Sequence, residues 1–566
     1  MGEEKGKVKP LVRVSAIVIP TPSSSSLCPV EGPKKDCQPH ARQQVDDGSE
    51  KHHRGNEIAQ NTLHDIDEVG DHEKRQQNHA SQGQERRASK VHARSIIPTM
   101  RQSINRRRFI GSLAAVAVTK LIEPASSAAL PSRGELILRN SYVMTMDPTL
   151  GDIPGGDVHI KNGEIVAVGK ALQVPGATVL DGQRMIVLPG LVETHWHMWN
   201  TVLRSFGGEK PDQGYFPTAA AYGQVMTPDD MYRGVRLAAA EALNCGMTTV
   251  HDYCHNLRSR AHAEADVRAL REAGLRARWS YGWAQGLPDT QACNLDDLRG
   301  LHNDWARYSN DGLISLGFAW RGMFRNTALP PDVYRSEFEA ARRLGIPISL
   351  HVGSREDAKG QIEALAKENL LGKDVQLIHA LSASPAEIQM VAKAGSPVSV
   401  SPGSELRIGY GFTKISEFLD AGVTVGVSVD TTVLSGDANL FGILKLARNI
   451  ENAKAHDEFK MPARRALELG TIAGARSLGI DDSVGSLKPG KRADVIMIAT
   501  NQLNMGVFTD PAHMVIESTQ PENVDTVIVD GRILKRGGKL TALSTDQVVT
   551  DAEASFEAVR KRANWR

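Results

Sequence analysis

The chain has 566 residues, 41% hydrophobic and 23% charged, with 67 Lys and Arg against 66 Asp and Glu. At about 100–200 residues per domain, that length admits several domains or one large α/β barrel with additions. A net charge of +1 supplies no global field for nucleic acid or an anionic membrane, and five cysteines exclude a disulfide-built scaffold.

The aromatic residues are unevenly spread, and none precedes Phe109. Residues 1–99 therefore read as a disordered polar tail, because few large apolar groups are present to offset the entropy of ordering. The histidines of this tail show no regular ligand spacing. Residues 100–130 read as a signal segment. Arg106-Arg107-Arg108-Phe109-Ile110 is a twin-arginine pattern, an apolar run follows over 110–119, and Ala125-Ser126-Ser127-Ala128-Ala129 supplies small residues for cleavage. The apolar run is too short for stable membrane insertion. If Met100 is the true start, a periplasmic or secreted protein is expected, and otherwise a cytoplasmic one.

Residues 131–187 read as β-structure. Leu136-Ile137-Leu138 and Tyr142-Val143-Met144 are β-prone, and Asn162-Gly163 marks a hairpin turn. The same grammar returns over 491–545, where Asp530-Gly531 marks a second hairpin. Two β-rich segments flanking a long middle can pair into one small sheet domain. A closing helix is expected over 546–566.

The middle, 188–490, alternates strands and helices. Strands are predicted at 188–197, 247–252, 277–283, 313–319, 347–352, 375–380, 397–401 and 424–430. Thr227-Pro228-Asp229-Asp230 and Ser384-Pro385-Ala386-Glu387 start helices, and Gly246, Gly274, Gly345 and Gly395 end them. Eight strand–helix units fit a (β/α)8 barrel. A doubly wound sheet is the competitor, but no Gly-rich dinucleotide or phosphate loop follows the first strand.

Thr194-His195-Trp196-His197 ends the first strand, where residues two apart share a face. His351, His379 and Asp430 end later strands, the place where barrel enzymes carry their chemistry. His195, His197, His351 and Asp430 suit one divalent ion, Zn²⁺ first, with Fe²⁺ and Mn²⁺ served by the same donors. His255, His251, Arg321 and Trp199 are expected to contact substrate. The alternative for His251 and Asp252 is a pair behind the site, and for the tryptophans and arginines it is packing or surface exposure.

Pro189-Gly190-Leu191-Val192-Glu193-Thr194-His195-Trp196-His197 and Gly485-Ser486-Leu487-Lys488-Pro489-Gly490-Lys491-Arg492-Ala493-Asp494 resemble two signatures of the amidohydrolase superfamily. The resemblance covers about residues 135–540 and is greatest to the cytosine deaminase, S-adenosylhomocysteine deaminase and triazine hydrolase branch. It implies a TIM barrel with a β-sandwich built from both chain ends. It also implies one metal on His195, His197, His351 and Asp430, with His379 bonding substrate or the attacking water. The segment 313–319 has no lysine where binuclear relatives carry a carbamylated one, which favours a single ion.

One departure concerns the proton path. Deaminases of this branch usually carry Glu three residues after the fifth-strand His, and this chain has Ser354 there. Glu405, after the seventh strand, is the expected substitute, with Glu356 the weaker choice. The expected reaction is hydrolysis of a non-peptide C–N bond, the deamination of a purine-, pyrimidine- or triazine-like small molecule by metal-activated water. Asp430 serves as base, His379 stabilises charge, and Asp430 or Glu405 returns the proton. The alternatives are amide, ester or C–Cl hydrolysis, or small-molecule binding without catalysis. No nucleic-acid partner is expected, and self-association stays open.

Overall fold

The computed structural model describes residues 129–324 and 328–564. The polar tail and nearly all of the twin-arginine segment lie outside the described residues. Two sheets account for the β-structure.

The first sheet has nine strands drawn from both flanks. Glu135–Met144, Asp152–Lys161, Glu164–Gly169, Thr178–Asp181 and Met185–Pro189 come from the N-terminal side, and Val495–Ala499, Val524–Val529, Arg532–Arg536 and Lys539–Leu540 from the C-terminal side. The two groups join where Met185–Pro189 runs antiparallel to Val495–Ala499, with Val187 opposite Met497. Both expected hairpin turns form. Asn162 and Gly163 have φ of 53° and 85°, and Asp530 and Gly531 have 52° and 74°, the paired positive values of a tight hairpin. The turns also touch: a Cβ on Gly531 would stand 2.7 Å from the Gly163 Cα. Buried Asp530 fixes this corner by accepting from Arg133, Arg492 and Arg532. Burial alone would raise its carboxyl pKa, but the hydrogen bonds from Arg492 and Arg133 outweigh that and hold it below the ordinary value.

The second sheet has eight parallel strands in sequence order. They are Leu191–Val192, Met247–Cys254, Arg276–Tyr281, Ile314–Ala319, Ile348–Val352, Val375–His379, Val398–Val400 and Val425–Val427. The helix Pro228–Asn244 opens on a capping box between Thr227 and Asp230, and Pro385–Ala394 on one between Ser384 and Glu387. Gly274, Gly345 and Gly395 stop their helices at φ of 72°, 66° and 71°. A last helix spans Thr545–Ala563. None of the described helices is long and apolar enough to cross a membrane.

The expected strand at 188–197 is corrected. Met185–Pro189 belongs to the first sheet and Leu191–Val192 to the second. Gly190 makes the crossing, and a Cβ there would lie 2.1 Å from the Thr248 side chain. Beyond Val192 the N–H groups alternate between two neighbours: Glu193 and Trp196 donate to Thr249 and His251, and Thr194 and His197 to Val427 and Asp430. The segment is wedged between the second strand and the segment leading out of the last.

Candidate metal centre

His195 and His197 leave that wedge on one face, and His351 and Asp430 come from the ends of the fifth and eighth strands. His351 Nε2 lies 3.2 Å from both His195 Nε2 and His197 Nε2. Asp430 Oδ1 lies 3.3 Å from His195 Nε2 and 3.4 Å from His197 Nε2. Donors bound at about 2.0–2.1 Å around a tetrahedral ion sit about 3.3 Å apart, so the spacing is that of a metal cage.

The protonation pattern agrees. Burial, first of all, lowers the pKa of each of the three imidazoles, for His195 and His351 well below the ordinary value. His197 Nδ1 donates to the Tyr253 carbonyl at 3.2 Å, which leaves Nε2 with a bare lone pair. Three ring nitrogens and a carboxylate oxygen converging on one point form a donor set that a cation can fill. The cluster fits a divalent metal ion.

Backbone strain marks the same place. His379 has φ of 74° and Asp430 of 62°, a conformation uncommon for residues other than glycine. Glu193, two positions before His195 in the same motif, braces the backbone around the cluster. Its buried carboxylate accepts from the N–H groups of His195 at 2.9 Å, Val429 at 3.1 Å and His251 at 3.4 Å. Burial pushes its pKa up to about 8 despite these bonds.

His379 stands beside the cage, its ring 5.4 Å from that of His351. Its Nδ1 donates to Glu405 Oε1 at 2.9 Å, and Oε1 also accepts the Ser401 N–H at 2.8 Å. Burial lowers the His379 pKa, but the Glu405 hydrogen bond and the charge of Asp430 overcome it and set the value above the ordinary one. Glu405 thus reaches the site through His379. Its Oε2 is buried without a partner among the described residues. Ser354 brings no carboxylate, and the Glu356 side chain lies outside the described residues.

The expected substrate contacts divide. His255 is half-buried against the His197 ring, 4.3 Å between centroids. Trp199 is fully buried, and its Nε1 donates to His255 Nδ1 at 3.0 Å, so it orients His255 rather than meeting substrate. His251 is corrected. It is fully buried, with Nδ1 on the Thr194 carbonyl and Nε2 on Ser280 Oγ, both at 2.8 Å. Burial lowers its pKa to about 3. Arg321 is corrected as well: it is buried on Glu337 at 2.6 Å and on the Gln291 carbonyl at 2.6 Å, and so is committed to the protein. Arg204 is likewise held, by Glu241.

Tyr215 was not foreseen, because 204–226 carries no periodic signal. Thr431 Oγ1 donates to Asn200 Oδ1 at 2.9 Å, and Asn200 Nδ2 donates to the Tyr215 hydroxyl at 3.4 Å. With its oxygen so occupied, the phenol keeps its own proton to give. Burial and then the Asp430 charge raise the Tyr215 pKa. Tyr410 stands edge-on to His379, 5.9 Å between centroids.

With this geometry in place, comparison with known proteins is decisive. The amidohydrolase family matches residues 186–534. The chain belongs to the amidohydrolase family. Among curated relatives of this amidohydrolase, a 5'-deoxyadenosine deaminase of Methanosarcina barkeri is 29% identical over 450 residues, covering 76% of this chain and 99% of the relative. A 5-methylthioadenosine/S-adenosylhomocysteine deaminase of Desulforudis audaxviator is 29% identical over 436 residues, covering 74% and 97%. Among solved structures, an adenosine deaminase from Xanthomonas campestris with bound zinc aligns with TM-score 0.68 at 23% identity, covering 76% of this chain and 100% of that one. An atrazine chlorohydrolase from Arthrobacter aurescens complexed with zinc aligns with TM-score 0.65 at 23% identity, covering 74% and 100%. These neighbours establish a TIM-barrel-like fold.

Proposed function

We propose that this amidohydrolase removes an exocyclic amine from a heterocycle by adding water and releasing ammonia, with an adenine nucleoside as its first candidate substrate and zinc as its ion. The reading rests on one observation: four donors converge at metal spacing beside a His379–Glu405 pair. The relatives that deaminate adenosine derivatives support the substrate class.

A bound divalent ion would lower the pKa of a water and favour its addition to the ring carbon. Asp430, next to the histidine donors, takes a proton from the attacking water. His379, protonated on both nitrogens with its Nδ1–H held by Glu405, presents Nε2–H to the substrate and stabilises the negative charge that develops as the ring carbon becomes tetrahedral. The proton on Asp430 then goes to the departing amine, which leaves as ammonia, and the hydroxyl proton passes to the ring nitrogen as the carbonyl forms. The test is ammonia release from zinc-loaded protein over a panel of adenine nucleosides, pyrimidines, pterins and triazines. Release from 5'-deoxyadenosine or methylthioadenosine is expected, and silence across the panel with metal bound overturns the reading.

Ser354 favours one second reading. With no carboxylate at that position, the same site would suit hydrolysis of an ester or C–Cl bond, whose leaving group needs less help from an acid than an amine does. Chloride release from a chlorinated triazine without any ammonia would select it.

Two structural readings accompany the function. The eight-stranded sheet closes as a barrel, supported by the Thr194 and His197 hydrogen bonds to Val427 and Asp430, and the nine-stranded sheet folds as a sandwich. Amide exchange at Thr194 as fast as in an exposed loop would contradict closure. Export by the twin-arginine route is supported by Arg106-Arg107 and the apolar run after it. A reporter fused behind residues 100–130 that stays equally exported after Arg106→Lys and Arg107→Lys would contradict it.

A further inference from the structure

At the N-terminal ends of the strands, opposite the metal cluster, lies a cavity of about 470 Å³. Arg278, Lys373, Gln376, Ser477, Arg342 and Asp374 line it. Arg278 is the unusual member. It is 8% exposed, and among the described residues its one hydrogen bond runs from Nη2 to the Leu478 carbonyl. Among the described residues no carboxylate pairs with it. Two other arginines, Arg276 partly buried and Arg321 buried, show the contrast. Arg276, two residues earlier on the same strand, meets Asp494 at 2.7 Å, and Arg321 meets Glu337 at 2.6 Å.

A buried charge without a counter-charge is costly, so proteins pair such groups with an acid or a ligand. The nearest lining acid is already engaged. Asp374 accepts from Arg342 Nε at 2.9 Å and from Arg342 Nη2 at 3.2 Å. Ser477 Oγ accepts from Gln376 Nε2 at 2.9 Å, which leaves the hydroxyl proton to be donated. Lys373 is exposed at the rim and adds a second positive charge. Burial lowers the Arg278 pKa to about 10, so the guanidinium is still charged at neutral pH.

We propose that this cavity is a binding site for a small oxyanion, a phosphate or carboxylate group, held by Arg278, Lys373 and the Ser477 hydroxyl. A planar guanidinium with free N–H groups pairs with such anions in two-point contact, and a lysine beside it adds charge. The volume admits a small metabolite that bears the group. The site is separate from the metal cluster and does not depend on the reaction proposed above.

The test is thermal unfolding of the zinc-loaded full chain with inorganic phosphate or acetate, against sodium chloride at matched ionic strength. Phosphate or acetate is expected to raise Tm by about 2–4 °C where chloride does not. A response to phosphate alone assigns the phosphate class, and a response to acetate alone the carboxylate class. Arg278→Gln removes the shift and Lys373→Ala reduces it. Lys373 is a surface residue, so its variant decides the matter if Arg278→Gln does not fold. No shift in the unsubstituted protein overturns the proposal. A shift left undiminished by Lys373→Ala also overturns it, since the anion would then be acting elsewhere, the metal centre included.

Discussion

Glu405 Oε1 stands 2.9 Å from His379 Nδ1, and that bond decides which way the imidazole presents itself. The carboxylate fixes the proton on Nδ1 and leaves Nε2 for the substrate. Glu405→Gln should keep KM within about threefold and lower kcat by about 10²-fold, with Glu405→Asp recovering part of the loss. Unchanged kcat in Glu405→Gln would remove the pair from the reaction.

Asp430 serves as a metal donor and as the base. Asp430→Asn should hold metal less tightly yet, once loaded, turn over about 10³-fold more slowly. His195→Ala should lose the ion outright. Metal content per chain and kcat together separate the two roles, and full turnover by loaded Asp430→Asn would end the assignment as base.

If the Tyr215 hydroxyl, which accepts from Asn200 and feels the charge of Asp430, serves the proposed reaction, it does so by donating to substrate. Tyr215→Phe should lower kcat/KM by about tenfold without changing Tm. A drop in Tm with unaltered kinetics would mark Tyr215 as structural instead.

Arg321 behaves in the opposite way. Its ion pair with Glu337 is buried, so Arg321→Ala leaves an unpaired acid and should cost about 3–5 kcal/mol of stability. KM of whatever protein folds should be unchanged. A selective rise in KM would restore Arg321 as a substrate contact.

Asp530 sets a pH dependence. Its folded-state carboxyl pKa lies below the unfolded value, so its stabilising effect is present above about pH 4 and is lost as pH falls through the folded value. Asp530→Asn should therefore cost about 2–4 kcal/mol at pH 7, and the gap to the unsubstituted protein should narrow as the solution is acidified below that range. Denaturant midpoints at pH 7 and pH 3 check this, and a gap that widens on acidification would contradict it.

Local signals carried much of the fold. Asn162-Gly163 and Asp530-Gly531 announced their hairpins because their side chains or lack of them suit positive φ, and Thr227 and Ser384 announced helix starts through capping boxes. The clustering of His195, His197, His351 and Asp430 was legible from the His-x-His spacing and from the strand ends that carry His351 and Asp430, although the strand expected to carry the first pair stops at Val192. His251, Trp199 and Arg321 were not, since burial and partners depend on which distant segment packs against them. Ser280 satisfies His251 and Glu337 satisfies Arg321, and nothing local to either residue reveals that. The break at Gly190 was hidden for the same reason: apolar residues run unbroken through it, and only Thr248 on a neighbouring strand shows why a glycine stands there.

The pairing of Met185–Pro189 with Val495–Ala499 has a consequence for synthesis. A ribosome finishes the N-terminal strands long before it makes their partners, so for most of translation the Met185–Pro189 strand waits with an unpaired edge. Such edges invite pairing with other chains. Loop closure over so long a stretch is also slow. Nascent chains stalled short of residue 495 should therefore engage chaperones or aggregate, while the finished chain closes its own edge and in doing so reports that it is complete.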